Sequence, residues 1–175
     1  DASRAVRRFC DIGCGVTSLI TIYNISISRI AHPADRFTVG QGILAVVKEI
    51  DFDLRRISLS HKELLGTWEE NAALFTPGQT VSGIIRSVES YGTFIELTPN
   101  LAGLAEPSET LTQGHTAAVY IKNIIPEKMK VKLSVIDASP EKAVPAPFHY
   151  FITGGHIDRW QYSPDQCSRR IESVF

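Results

Sequence analysis

Two rings, Tyr91 and Phe94 in "SYGTFIEL", stand three positions apart with a glycine between them. Further on, amines recur at alternate positions: Lys130 and Lys132 in "KMKVKLS", and Lys122 two residues after Tyr120 in "VYIKN". Rings interleaved with amines suit a single-stranded nucleic acid. Bases stack on aromatic faces for ~1–3 kcal/mol each, and amines track the phosphates. This chemistry is binding, not bond-breaking. The chain has no Gly-x-Ser-x-Gly, no phosphate loop and no His-Glu-x-x-His, so no catalytic constellation is expected. Cys10 and Cys14 lack a second ligand pair at zinc-site spacing. His149, His156 and Cys167 match no known metal-site spacing, so neither metal nor cofactor is expected.

These side chains can act together only if strands present them on one wall. Side chains alternate across a strand. In Thr93–Leu97, Ile95 and Leu97 point one way, and Phe94 and Glu96 the other. A barrel has a single interior, and a buried Glu96 is not expected, so Phe94 is assigned to the outer wall with Tyr91 at the adjoining turn. With Val119 and Ile121 facing in, Tyr120 and Lys122 take the outward phase. Val131 and Leu133 alternate with Lys130 and Lys132 in the same two-residue period.

The strands belong to a repeat. "FCDIGCGVTSLITI" from Phe9 parallels "FIELTPNLAGLAEP" from Phe94, "TVGQGILAVVKEI" from Thr38 parallels "TQGHTAAVYIKNI" from Thr112, and "RRISLS" from Arg55 parallels "MKVKLS" from Met129. Two copies of one small unit are the simplest organisation. In the second copy, short runs bounded by turn residues predict strands near 79–89, 92–97, 101–105, 114–124 and 129–136. Five strands in so short a unit suggest a closed barrel, because closure removes exposed edges. The first copy begins at its second strand, so its barrel is expected to be incomplete. The chain is then read as a fragment, or as taking its opening strand from elsewhere.

Between the copies, Leu64, Leu65, Trp68, Ala72 and Phe75 form an apolar stripe of helical period, with Gly66 placed to break it. Trp68 is expected to anchor this linker on a barrel. After the second copy, "DASPEKAVPAP" reads as an extended, proline-rich linker. In the tail, Ser163, Pro164 and Gln166 form a capping-box pattern ahead of a stripe at Cys167, Ile171 and Val174, which predicts a helix. The boundaries are therefore 1–60 for the first unit, 61–76 for the helical linker, 77–137 for the second unit, 138–147 for the proline-rich linker and 148–175 for a C-terminal extension with a helix.

Composition narrows the class. The chain has 175 residues, a formal net charge of −1 and three cysteines. Near-neutral charge excludes binding by bulk basicity, so any nucleic-acid site must rest on local placement. The cysteine count is too low for a disulfide framework and fits a reduced, cytoplasmic setting. No apolar run approaches the ~20 residues of a membrane helix.

The combination "GQTVSGIIRSVESYGTFIELTPNLAGLAE", with "DFDLRRISLS" in the first copy and "LLGTWEEN" between the copies, resembles the S-one domain, the RNA-binding repeat of the largest small-subunit ribosomal protein. The resemblance covers about residues 9–137, and the tandem layout is similar to that of clostridial S-one-like proteins. It implies an all-β fold of two tandem five-stranded oligonucleotide-binding (OB) barrels, the first truncated, with a helical linker and a helical C-terminal tail. It implies non-catalytic binding of single-stranded RNA, mRNA or ribosome-associated, and no membrane partner. Residue by residue it assigns Tyr91 and Phe94 to the RNA face in the second copy, and Phe9, Asp51 and Arg56 in the first. Glu106 and Thr21 stand where the family often has histidine, and Lys130 alone remains basic at the arginine position. These departures keep open an alternative, a protein-interaction scaffold whose OB repeats have lost RNA.

Overall fold

The computed structural model describes residues 7–175. It divides into two units. Unit 1 takes the chain up to Gly66 with Pro145–Trp160 and Ser173–Phe175, and unit 2 takes Thr67–Val144 with Gln161–Glu172.

Among the described residues, unit 1 contains four strands, β1 (Arg7–Cys10), β2 (Thr17–Thr21), β3 (Val46–Asp51) and β4 (Arg56–Ser60). They form one sheet in the order β1-β2-β4-β3, with β2 and β4 parallel and the other pairs antiparallel. Register sets the faces. Ile20 lies opposite Leu59, and Ser18 opposite Ile57, so these four share the core side. Ile20, Ile25, Phe37 and Leu59 form the buried core, and Phe148 packs against it. His61 closes that core. One ring nitrogen pairs with the Ile25 carbonyl at 2.8 Å and the other with the Tyr150 hydroxyl at 2.9 Å. The rings of Phe37, Phe148 and Tyr150 surround it, with centroids 5.1, 4.6 and 5.5 Å away. Burial in this apolar cage pushes the His61 pKa down to about 4, with the Arg36 charge adding in the same sense. Beside it, the buried Glu63 carboxylate accepts hydrogen bonds from Ser60 at 2.5 Å and Ser173 at 2.9 Å.

Unit 2 opens with a short helix, α1 (Trp68–Ala72), which Thr67 and Glu70 cap reciprocally. Gly66 precedes it with φ 94 and ends the 3₁₀ turn Lys62–Leu65, so the linker is two short pieces, as its glycine suggested. Trp68 is buried, and its backbone N–H donates to the Tyr162 carbonyl at 3.0 Å. Five strands follow: β5 (Thr80–Glu89), β6 (Gly92–Thr98), β7 (Leu101–Ala105), β8 (His115–Ile125) and β9 (Lys130–Lys142). They close in the order β5-β6-β7-β9-β8, which is consistent with an OB fold. Among the described residues, the strand order of unit 1 matches that of β6-β7-β9-β8. The repeat extends to the backbone. Arg55 and Met129 both adopt positive φ, 51 and 48, immediately before β4 and β9.

The structure corrects three expectations. The strand expected at 129–136 runs on to Lys142, because β9 stays paired with β8 as far as His115 opposite Lys142. Residues 138–142 are therefore strand, not linker. The tail helix does not form. Ser163 Oγ accepts the Ile171 N–H at 2.9 Å instead of capping a helix, and the Tyr162 N–H donates to the Ile171 carbonyl at 2.8 Å. These bonds draw the segments together, and β10 (Arg159–Gln161) pairs with β11 (Glu172–Val174). Within the extension, residues 148–160 and 173–175 fall in unit 1 and residues 161–172 in unit 2. Third, Glu96 is only 3% exposed. No helix of the described residues is long and apolar enough to cross a membrane.

Candidate nucleic-acid interface

Unit 2 builds its outer wall by strict alternation. Ile95 and Leu133 are fully buried, so their neighbours Phe94 and Lys132 face outward. Register then aligns them. Phe94 lies opposite Leu104 on β7, and Leu104 opposite Lys132 on β9. Phe94, Leu104 and Lys132 thus form one row across three strands. Neighbouring strands lie ~4.8 Å apart, so the row spans about 10 Å.

The β5–β6 hairpin places Tyr91 at the row's end. Glu89 pairs with Gly92, which leaves Ser90 and Tyr91 as the turn. Gly92 is required there, because a Cβ would lie 2.6 Å from Leu104 Cδ1 and 2.8 Å from the Ala105 carbonyl. Tyr91 is 65% exposed, and its ring meets Phe94 edge-on at 6.1 Å and 80°. Phe94 is half-buried. The two rings form a step, one standing free and one set into the wall.

Phe94 does face outward, but not because its neighbour on that face is exposed. Glu96 shares the face and is buried. A bulge between Ile85 and Ser87 leaves Arg86 as an extra residue on β5. Bulges re-aim side chains, and here the guanidinium meets Glu96 with two bonds, 3.3 and 3.2 Å. A forked, charge-assisted pair of this kind makes a covered carboxylate tolerable. Sequence alone carried no signal for it, since the pairing depends on register and bulge.

The amines divide. Lys130 and Lys132 are exposed on β9, either side of the buried Val131. The Lys122 amine lies 3.4 Å from the exposed Glu106 carboxylate. Tyr120 lies on β8 opposite Ser134 on β9 and Thr80 on β5, one strand beyond the lysine row and, by way of β5, two strands from Phe94. Tyr91, Phe94, Lys130 and Lys132 are therefore brought together, Lys122 sits at their margin, and Tyr120 stands apart.

In unit 1, Phe9 is 74% exposed and lies opposite Leu19. Arg56 lies opposite Thr17 and Asp51. Phe9, Asp51 and Arg56 share the side of the sheet away from Ile20 and Leu59. Asp51 also has local work, because its carboxylate accepts the Leu54 N–H at 2.9 Å within the β3–β4 turn. Among the described residues, no group of three or more His, Cys, Asp or Glu could hold a metal.

This outward wall of aromatic and basic side chains, on a closed barrel and on its four-stranded counterpart, invites comparison with known domains. Residues 8–62 match the S1 RNA binding domain family. The match falls on the S1 repeat of unit 1, whose closing "DFDLRRISLS" is the fuller of the two. Curated relatives are small ribosomal subunit proteins. The bS1 protein of Leuconostoc lactis is 31% identical over 148 residues, 77% of this chain and 34% of the relative. The bS1 homolog of Bacillus subtilis (strain 168) is 31% identical over 139 residues, 73% of this chain and 36% of the relative. The bS1 protein of Chlamydia muridarum is 29% identical over 150 residues, 85% of this chain and 26% of the relative. The chain thus spans between about a quarter and about a third of the length of these S1 relatives.

Proposed function

We propose that the chain binds single-stranded RNA through the outer walls of its S1-type units, without catalysis, as an mRNA-binding or ribosome-associated protein. The observation that carries this reading is the Tyr91–Phe94 step in line with Lys132. Tyr91 offers a free face to one base, and Phe94 offers its edge and part of a face to the next. Lys130 and Lys132 stand where the backbone of such a strand would run. In unit 1, Phe9 and Arg56 repeat the arrangement with one ring and one cation. The match to an RNA-binding domain family and the ribosomal relatives support the same reading.

A second reading, a protein-contact scaffold, draws on unit 1. There Asp51 is engaged in its own turn, and Phe52 and Leu54 stand exposed beside it. Salt separates the two, because phosphate contacts release counterions and apolar contacts do not. Fluorescence anisotropy of a labelled ten-nucleotide RNA, titrated from low to moderate salt, is the test. Log affinity falling linearly with log salt is expected. Absence of binding at low salt would sink the RNA reading in favour of the scaffold.

A further inference from the structure

Beyond the stacking wall, unit 2 has a cleft of about 440 Å³ lined by the Glu106–Leu111 loop and by β9 from Ser134 to Ala138. That volume lies within the ~300–1,000 Å³ usual for small-molecule sites. Its position follows from the lysine row. Lys130, Lys132 and Ser134 face outward in turn along β9. Ser134 is the next outward position after Lys132, about 7 Å further at ~3.4 Å per residue. Strict alternation would next turn Ile136 outward and Asp137 inward. A bulge intervenes. Val135 pairs with Val119 and Asp137 with Ala118, which leaves Ile136 as the extra residue. Val119 is fully buried, so Ala118 and its partner Asp137 face out. The bulge therefore puts Asp137 on the same outward row as the two lysines and Ser134. It also leaves Ile136 59% exposed at the cleft. The opposite side carries Glu106, beside the Lys122 amine, and the apolar Leu111.

A phosphate would not enter between two carboxylates. A flat ring carrying an amino group would. Ile136 and Leu111 offer it apolar surface, and Asp137, Glu106 and Ser134 offer acceptors at its edge. Carboxylates accept from the exocyclic amine of cytosine, where uracil presents a carbonyl. Single-stranded RNA can splay such a base out for edge reading. We propose that this cleft is a base subsite for the nucleotide beyond the stacked pair, selective for a base with an exocyclic amine and against uracil. The proposal rests on the RNA reading above and adds to stacking a base preference that stacking alone does not supply.

The test compares rC10 with rU10, which differ at C4, an amine or a carbonyl, and at the adjoining N3, an acceptor or an N–H donor, by anisotropy at one salt concentration. Wild type should bind rC10 about tenfold more tightly. Asp137→Asn, whose amide can donate to the uracil carbonyl, should bring the ratio close to one with rU10 no weaker. Glu106→Gln should lower the ratio by a smaller factor. Equal affinities in wild type would overturn the subsite and leave the RNA reading standing. So would a tenfold ratio that survives in both variants. Binding of neither oligomer would overturn both.

Discussion

At the scale of single residues, the spacing of Tyr91 and Phe94 was legible because a turn glycine and a two-residue period are local signals. Their surroundings were not. Glu96 looked exposed because an isolated carboxylate is costly to bury, and its partner Arg86 becomes one only through a bulge. His61 was silent for a similar reason. Its cage uses Ile25, Phe37, Phe148 and Tyr150, which lie far apart in the chain. The cage has a measurable consequence. An unfolded histidine takes its proton near pH 6.5, whereas His61 in the fold does so only at about 4. Between those values the unfolded state binds more protons, so stability falls as the pH falls. The contribution is complete above pH 6.5. Each pH unit crossed between the two values removes ~1.4 kcal/mol, so about 3 kcal/mol is lost from unit 1 by pH 4. Urea unfolding at pH 7, 5.5 and 4, followed by Trp160 fluorescence in a Trp68→Phe background, should show this loss with His61 in place. It should be much smaller in His61→Gln. Equal pH dependence in both proteins would contradict the account of the cage.

At the scale of elements, the strands of unit 2 were readable to within a residue or two, apart from the end of β9. Alternation and turn residues mark strand starts well. They mark the end poorly where pairing continues through polar sequence, as it does from Ala138 to Lys142. The tail failed in the other direction. Ser163 and Gln166 form a capping pattern, but local helix signals are weak beside a ladder that satisfies the Tyr162 and Ile171 backbone groups directly. The strand contacts make two predictions. A Cβ at Gly103 would sit 2.6 Å from Leu133 Cδ1 and 2.9 Å from the Val131 carbonyl. Overpacking of that kind costs ~1–3 kcal/mol, so Gly103→Ala should lower the urea midpoint of unit 2 accordingly. A smaller loss than about 0.5 kcal/mol would mean β7 and β9 are less closely apposed than described. Met129 holds a left-handed conformation with φ 48 at the β8–β9 turn. That geometry costs a non-glycine residue ~1–2 kcal/mol, and glycine loses ~0.5–1 kcal/mol through its freer unfolded chain. Met129→Gly should therefore raise the stability of unit 2 by roughly 0.5–1 kcal/mol, read as a higher thermal midpoint.

At the scale of the whole molecule, a net charge of −1 gives RNA no general reason to approach. Any affinity must come from a few placed groups, and few groups give a shallow salt dependence. Each phosphate contact on a single strand contributes ~0.7 to the slope of log affinity against log salt. Lys130→Ala/Lys132→Ala should therefore reduce the slope by about 1.4, twice that value. An unchanged slope would move the phosphate track elsewhere. The repeat was legible as a shared strand pattern, whereas the positive φ that Arg55 and Met129 share before the last strand is visible only in the fold. The sharing of the tail between the two units was not legible, because it depends on contacts at long sequence separation. The central claim is that the Tyr91–Phe94 step is exposed in order to stack bases. It is tested most directly by anisotropy of a labelled single-stranded RNA with wild type and with Tyr91→Ala/Phe94→Ala, at fixed low salt. Two stacked bases at ~1–3 kcal/mol each predict a loss of about 2–6 kcal/mol in the double variant, with an unchanged salt slope. Equal binding by the folded double variant would contradict the claim and leave the rings to a protein contact.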